Sequence, residues 1–565
     1  MRPSSWLPAV LGAALVAATP TPTIQKRWPT AFASVADGGF SLNGSKFSFI
    51  GTNAYWLPYL NSDEDIVNTL TNMSAAGIKV VRTWAFNDVT SVPTAGSWLQ
   101  LIQNGTTTIN DGPNGLQRLD RLVELAEQHG IYVLLSLTNN WNPVATPSST
   151  PARRDDTASS ATPLPRNFLS NDYGGMDAYV REFGTSKTHD EFYTDPTIRT
   201  FFEKYVQAVV SRFANNPFVF AWELANDPRC NSTIPTSPTC TTQTITQWHA
   251  DLSKFIRSID PNHLVSSGDH GFLCPTCTKL FPLTPKAAPS AAAGGASTRR
   301  RSRAAVMTKA RLIKKIAEDR RAAPRAADAP TVKIRGAWKA PAKAKRQENG
   351  GPGSAFDGSS GVDSQDILNA PDIGFGSFQL LPDQNNYDTN PNDAIVPPSA
   401  NFGATVQQGI NWIQTQAASA QAVGKPLVLT AFGLVTQANE VVFVPFNAST
   451  PVNPGAGVST RKRQTPGELG TGVTDDQRDD AYTAWLNAGI QAGLQGMTQY
   501  QWSSVGLTPS DGTFVQSPNA QQQTAGGGTL PQSPNDGYGT LGQAQNAEQG
   551  VLQDASQNIT SFLLQ

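Results

Sequence analysis

The segment FVFAWELANDPRC, Phe218 to Cys230, sets a carboxylate, Asp227, just beyond a run of strand-forming residues and behind an amide, Asn226. An acid at the end of a buried strand is placed for proton transfer, because packed walls fix its geometry at the edge of a cleft. Other apolar runs also end in polar residues. In chain order these are Arg82, Asn139 with Asn140, Asp269 with His270, Gln379, and Gln501 beside Trp502. Trp84, Trp141 and Trp222 add flat aromatic surface. Amides and charges among indoles suit a sugar, whose rings have apolar faces and hydroxyl edges. Tryptophans in such places also serve packing alone, and Trp222, in mid-strand, is read that way. Glu223 falls on the opposite side from Asn226 by strand alternation and is expected to satisfy a buried arginine. The five histidines are scattered, with no H-x-x-H or H-x-x-x-H pair, so neither metal nor cofactor is expected.

The elements that must hold these residues repeat along the chain. Leu116, Leu119, Leu122, Val123 and Ala126 mark one helical face, and the apolar run Tyr132 to Leu137 follows. Thr200 to Phe213 leads into Phe218 to Leu224, and Trp248 to Ile259 into His263 to Ser267. Gln407 to Ala422 precedes Leu427 to Ala431, and Ala481 to Ala492 precedes Gly496 to Trp502. Phe47 to Asn53, Lys79 to Trp84 and Ile373 to Phe378 complete eight strand-like runs. Runs apolar throughout suit strands covered on both faces, and their alternation with helices argues for a parallel sheet. Eight such units predict a (β/α)8 TIM barrel with its chemistry at the strand C-terminal ends. A doubly wound open sheet is the rival.

Three stretches interrupt the pattern as expected disordered insertions: residues 142–167, 285–360 and 451–472. Between Arg299 and Arg346 stand seventeen Lys or Arg against three acids, leaving 26 basic and 41 acidic residues elsewhere. The net charge of −1 therefore hides two opposite charges. A basic run can bind nucleic acid, but aromatic interleaving is limited to Trp338. A solvated insertion attracted to its own acidic barrel is the expectation, with trimming at dibasic pairs such as Lys345-Arg346 second. No nucleic-acid partner is expected.

The N-terminus reads as an export signal. Residues 1–18 carry Arg2, an apolar run from Trp6 to Val16 and small residues after it; residues 19–27 form a possible pro-segment ending at Lys26-Arg27. Residues 28–565 are then one domain. No later segment is apolar enough to cross a membrane, so a secreted, monomeric protein is expected. Six N-x-S/T sequons, at Asn43, Asn72, Asn104, Asn231, Asn447 and Asn558, agree with glycosylation in that pathway. Cys230, Cys240, Cys274 and Cys277 allow two disulfides in any of three connectivities. The C-P-T-C pair lacks a second such pair, which favours a structural disulfide over zinc or redox chemistry.

Several longer motifs occur in one order: RTWAFND (Arg82 to Asp88), NNW (Asn139 to Trp141), DYGGMDAYV, HDEFYTD, WELANDPRC, HLVSSGDHGF, GSFQLLPDQ and KPLVLTAFG. Together they resemble the fungal endo-β-1,4-mannanases of glycoside hydrolase family 5, from about Phe40 to Trp502. The resemblance implies a clan A barrel and a retaining mechanism on β-mannan or a related cell-wall glycan. Such a mechanism needs two carboxyl groups about 5–5.5 Å apart. The family's acid/base Glu, after the fourth strand, maps onto Asp227, and its nucleophile Glu, after the seventh, onto Ala431.

Other positions depart from the family in the same direction. Its His after the sixth strand is Gln379 here, and the Tyr two residues later is Leu381. The Glu of its fifth-strand motif is His270, and a helix His is Gln416. Arg82, Trp84, Trp141 and Asn226 match the pattern; with Asn140, His270, Gln379 and Trp502 they form the expected sugar-binding set. A methyl group can neither attack an anomeric carbon nor stabilise positive charge on it. Asp227 is one methylene short, roughly 1.5 Å against the half-ångström tolerance of a preorganised site. Asp269 is the one carboxylate at a strand end placed to stand in as base. The sequence therefore predicts a mannanase-like protein that keeps sugar-binding groups and lacks the cleaving pair. An active glycosidase or transglycosylase with a substitute nucleophile, and a non-catalytic interaction protein, are the alternatives.

Overall fold

A computed structural model describes residues 31–60, 62–143, 166–283, 332–334, 337–339, 355–387, 397–451, 472–509 and 531–563. Eight parallel strands form its centre: β1 (Phe49–Asn53), β2 (Val80–Trp84), β3 (Tyr132–Ser136), β4 (Val219–Glu223), β5 (Leu264–Ser266), β6 (Gly376–Leu380), β7 (Leu427–Phe432) and β8 (Gly496–Gln499). They lie in the order β5-β4-β3-β2-β1-β8-β7-β6, and the bridge from Ser266 to Phe375 joins the two edges. Nearly every strand residue is buried, as a sheet covered on both faces requires. The expected (β/α)8 barrel is the observed one.

A helix follows each strand: α1 (Asp63–Ala75), α2 (Gln117–Gln128), α3 (Pro196–Phe213), α4 (Thr242–Ile259), α5 (Ser364–Leu368), α6 (Phe402–Val423), α7 (Asp475–Ala492) and α8 (Gly542–Leu563). Their ends follow local chemistry. Asp195 caps α3 by accepting from the Thr197 and Ile198 amides, and Pro196 opens it with φ already set. Thr474 and Gln477 cap α7 reciprocally, and Gly493, at φ 81°, ends it where a side chain would be strained. The strand-helix pattern read from sequence stops at Trp502, yet α8 packs on α7 and β1 and completes the outer ring. Its outward face is rich in Gln and Asn, which blurs the helical period.

Strand ends differ from the sequence reading by small amounts. Phe47 belongs to a separate antiparallel sheet of Ser34–Ala36, Gly39–Leu42 and Ser45–Phe47. This sheet closes the barrel floor, with the Phe40 ring 5.2 Å from Phe220 and 5.1 Å from Phe375. The sixth strand begins at Gly376 rather than Ile373, and the eighth ends at Gln499 rather than Trp502. Of the basic stretch, the described residues include a short ladder of Val332–Ile334 with Ala337–Lys339, a local departure from the disorder expected there. The rest of it, with the leader and the dibasic pairs, lies outside the described residues.

Candidate active site

At the C-terminal end of the barrel, the Arg82 guanidinium leaves β2 and is 1% exposed. Its Nε and Nη2 donate to the two carboxylate oxygens of Glu223, at 2.8 and 2.6 Å, a planar fork meeting a planar acceptor. Nη1 donates to Asn53 Oδ1 at 2.9 Å, and Nη2 also to Asn226 Oδ1 at 2.8 Å. That oxygen accepts Gln379 Nε2 at 3.0 Å, while Asn226 Nδ2 donates to Asn139 Oδ1 at 2.8 Å. One polar chain thus links β1, β2, β3, β4 and β6 across the mouth. Glu223 does satisfy a buried arginine. It does not face away from Asn226, however, because β4 ends at Glu223 and alternation stops there; both groups meet the same guanidinium.

Asp227 follows Asn226 with φ 56°, a left-handed conformation uncommon for a side-chain-bearing residue. Its amide donates to Gly268 O at 2.9 Å, which ties the loop to β5. Both carboxylate oxygens are acceptors: Trp141 Nε1 donates to Oδ2 and Arg229 Nε to Oδ1, each at 2.8 Å. Arg229 is fully buried, its charged head 4.7 Å from the Phe272 ring and 5.4 Å from the rings of Trp141 and Phe446. Each oxygen of this carboxylate thus accepts one hydrogen bond from a neighbouring side chain.

Ala431 lies near the end of β7, buried, beside Gln379 of β6 in register. It offers no carboxyl group. Leu381, where the family resemblance calls for tyrosine, is buried, and its amide donates to Tyr387 OH at 2.8 Å. Tyr387 lies parallel to His270, and its hydroxyl stands 2.8 Å from His270 Nε2. Burial pushes the His270 imidazole down to about 3, so it is neutral there. Its Nδ1 is 3.6 Å from Asp227 Oδ1. Gln416 donates from α6 to Gly271 O at 2.6 Å, a structural tie. Asp269 accepts from Ser364 Oγ and from the Gly271 amide, so the one stand-in base is already engaged with its own loop.

The proposed sugar contacts are placed unequally. Trp84 donates to Ser170 O at 2.8 Å and packs between Tyr55 and Phe86. Asn140 is buried, its Oδ1 accepting the Arg229 amide at 3.0 Å and lying 2.9 Å from His189 Nε2. His189 in turn donates from Nδ1 to Asp177 Oδ1 at 2.7 Å. This chain supports the loop that carries Asp227. Trp141 is covered by the Phe446 ring, 4.8 Å away. Trp502 lines a small cavity under α8 with Gln499, Thr540, Glu548 and Leu552, and its amide donates to Asn53 O at 2.9 Å.

Tyr500 also follows β8. Its amide donates to Phe432 O of β7, and its hydroxyl donates to Asp536 Oδ2 at 2.8 Å. Ser170 Oγ donates to the same oxygen at 2.7 Å. Burial pushes the Asp536 carboxyl up to about 6. Asp536, Phe446, Tyr387 and Arg229 were not singled out in the sequence. Asp536 lies far beyond β8 in a polar segment with no strand or helix signal, and only the Pro-Arg following Asp227 marked Arg229 at all.

Two disulfides close loops near this end, Cys230–Cys240 and Cys274–Cys277, which selects one of the three connectivities. The C-P-T-C pair is a disulfide. Among the described residues there is no cluster of three or more metal-ligating side chains, and no helix is long and apolar enough to cross a membrane.

Residues 30–284 match the family model described as GH family 5 beta-mannosidase-like. The chain is similar to mannan endo-1,4-beta-mannosidase F of Aspergillus fumigatus, 42% identical over 255 residues, which are 44% of this chain and 50% of that protein. It is also 36% identical over 285 residues to mannan endo-1,4-beta-mannosidase A of Hypocrea jecorina, 50% of this chain and 56% of that protein. The chain thus spans about half the length of the curated relatives it matches. Among solved structures, the endo-1,4-beta-mannanase of Rhizomucor miehei aligns with TM-score 0.56 at 21% identity, covering 94% of this chain and all of that one.

Proposed function

We propose that this chain is a secreted, mannanase-like barrel that binds β-1,4-mannan or a related cell-wall glycan and has lost hydrolysis. The observation that carries the proposal is Ala431: the end of β7 offers a methyl group where a retaining mechanism needs its nucleophile. Asp227 supports the same reading, since both its oxygens are committed to Trp141 and Arg229. The similarity of residues 30–284 to mannan-cleaving enzymes names the glycan class. Paired disulfides and an N-terminal apolar run favour export.

The test is a paired assay on mannohexaose. Binding by titration calorimetry without release of reducing ends supports the proposal; steady turnover, or no binding at any concentration up to millimolar, overturns it. An active enzyme with a substitute nucleophile is favoured by one observation, the Asp536 carboxyl reaching the mouth beside Tyr500. Mass spectrometry of a glycosyl-enzyme would decide for that reading.

A further inference from the structure

Asp536 reaches the barrel mouth from a segment after β8 and belongs to none of the positions the resemblance supplies. It is 6% exposed. Oδ2 is held by two donors, Tyr500 OH and Ser170 Oγ. Oδ1 is buried and has no hydrogen-bond partner among the described residues. Asn171, next to Ser170, repeats the pattern: Nδ2 donates to the carbonyls of Phe446 and Ala448, and its buried Oδ1 has no partner. Leaving a buried acceptor unpaired costs about 1–3 kcal/mol, so two in one neighbourhood ask for an explanation.

The neighbours say what would satisfy them. The Asp536 carbonyl accepts from Val444, and Ser170 O accepts from the Trp84 indole, which places the carboxyl above β8 and β2. Tyr500 and Tyr538 rings stand 5.4 Å apart beside it, and Tyr55 and Trp84 stack at 6.2 Å. The unpartnered atoms are acceptors, so a ligand must bring donors; a carboxylate or phosphate brings none. Aromatic faces around hydrogen-bond acceptors match a neutral pyranose ring with free hydroxyls.

We propose that Asp536, held by Tyr500 and Ser170, is a binding residue for hydroxyl groups of one sugar unit, with Asn171 Oδ1 as a second acceptor. This rests on the glycan-binding reading above and adds its anchor. Phe446 and Ala448, on the segment that begins at Val444, cover Trp141 and Asn171.

Calorimetry with mannohexaose on the full chain tests it. Asp536→Asn should weaken affinity by roughly tenfold, the scale of a hydrogen bond to a charged acceptor. Ser170→Ala, at a half-buried position and mild for folding, should weaken it by about threefold by freeing the carboxyl from one donor. Circular dichroism melts of each variant identify any that fail to fold; if Asp536→Asn does, the Ser170→Ala result decides. Wild-type binding with Ser170→Ala and folded Asp536→Asn both within a factor of about two of it, a difference too small for a lost hydrogen bond, overturns this inference alone. Failure of the wild type to bind any mannan oligosaccharide overturns the glycan-binding reading, and this inference with it.

Discussion

Restoring both carboxylates is the most direct trial of the inactive-site argument, and the structure bounds its outcome. Ala431→Glu places an ionisable group in a buried position whose neighbour in register, Gln379, already donates its Nε2 to Asn226. Leucine at 381 supplies no side-chain hydroxyl to the new group, and a buried charge there should destabilise by about 1–3 kcal/mol. Asp227→Glu adds a methylene inside a site where Arg229 is packed against Trp141, Phe272 and Phe446. Overpacking of that kind costs about 1–3 kcal/mol as well.

The kinetic expectation follows from the same contacts. Wild type and Asp227→Glu should give no mannohexaose turnover above background, since both carry a methyl group at position 431. Ala431→Glu alone should restore a trace, because Asp227 is short and held as an acceptor. The double variant should exceed it by roughly 10²-fold or more, the contribution of a placed general acid. The two changes act on one bond, so their effects should multiply poorly and appear chiefly together. Single-turnover kinetics with mass detection of the covalent intermediate is the assay. A trapped adduct on the wild type, or full activity from Ala431→Glu alone, would refute the reasoning.

Three further outcomes are expected. Glu223→Gln should lower stability by about 3–5 kcal/mol, because it leaves the buried Arg82 charge unpaired; a thermal shift under two degrees would contradict this. Phe446→Ala should uncover Trp141 and tighten mannohexaose binding, whereas Trp141→Ala should weaken it by about 1–3 kcal/mol, taking base–aromatic stacking as the analogy; equal affinities in calorimetry would show that the indole is packing only. Burial pushes Asp88 and Asp383 up to about 7 and Asp172, Asp269 and Asp536 up to about 6. Between about pH 4 and 7 the folded chain then holds protons that the unfolded chain has released, so stability falls as pH rises through that window. His249 and His270, pushed down by burial to about 4 and about 3, act in the opposite sense below 6.5, two groups against five. The melting temperature should therefore fall from pH 4 to pH 7, and a steady rise from pH 5 to 7 would count against these assignments.

The barrel was legible because its strands are buried on both faces, and burial on both faces leaves the plainest possible mark: Tyr132–Ser136 and Leu427–Phe432 are almost wholly apolar. A surface helix leaves a weaker one. The last helix, Gly542–Leu563, is spaced with Gln and Asn on its outer face, so nothing in its composition separates it from a polar tail until Leu552, Ala555 and Ile559 are seen against the barrel. The site divides in the same way. Residues at strand ends were found because the strand fixes their position, and Arg82, Asn226, Gln379 and Ala431 do lie within one hydrogen-bonded or register-linked group. After β8, which ends at Gln499, the sequence marks Trp502, whose amide donates to Asn53 O, while Tyr500 carries its hydroxyl to Asp536. Asp536, Phe446 and Tyr387 arrive on irregular segments, where side-chain position depends on tertiary contacts and no period encodes it. In this barrel the strands set where chemistry could occur, whereas the loops decide whether the mouth is open, covered or acidic. That is why the methyl group at Ala431 could be read from sequence at a strand end, and the carboxylate at Asp536 could not.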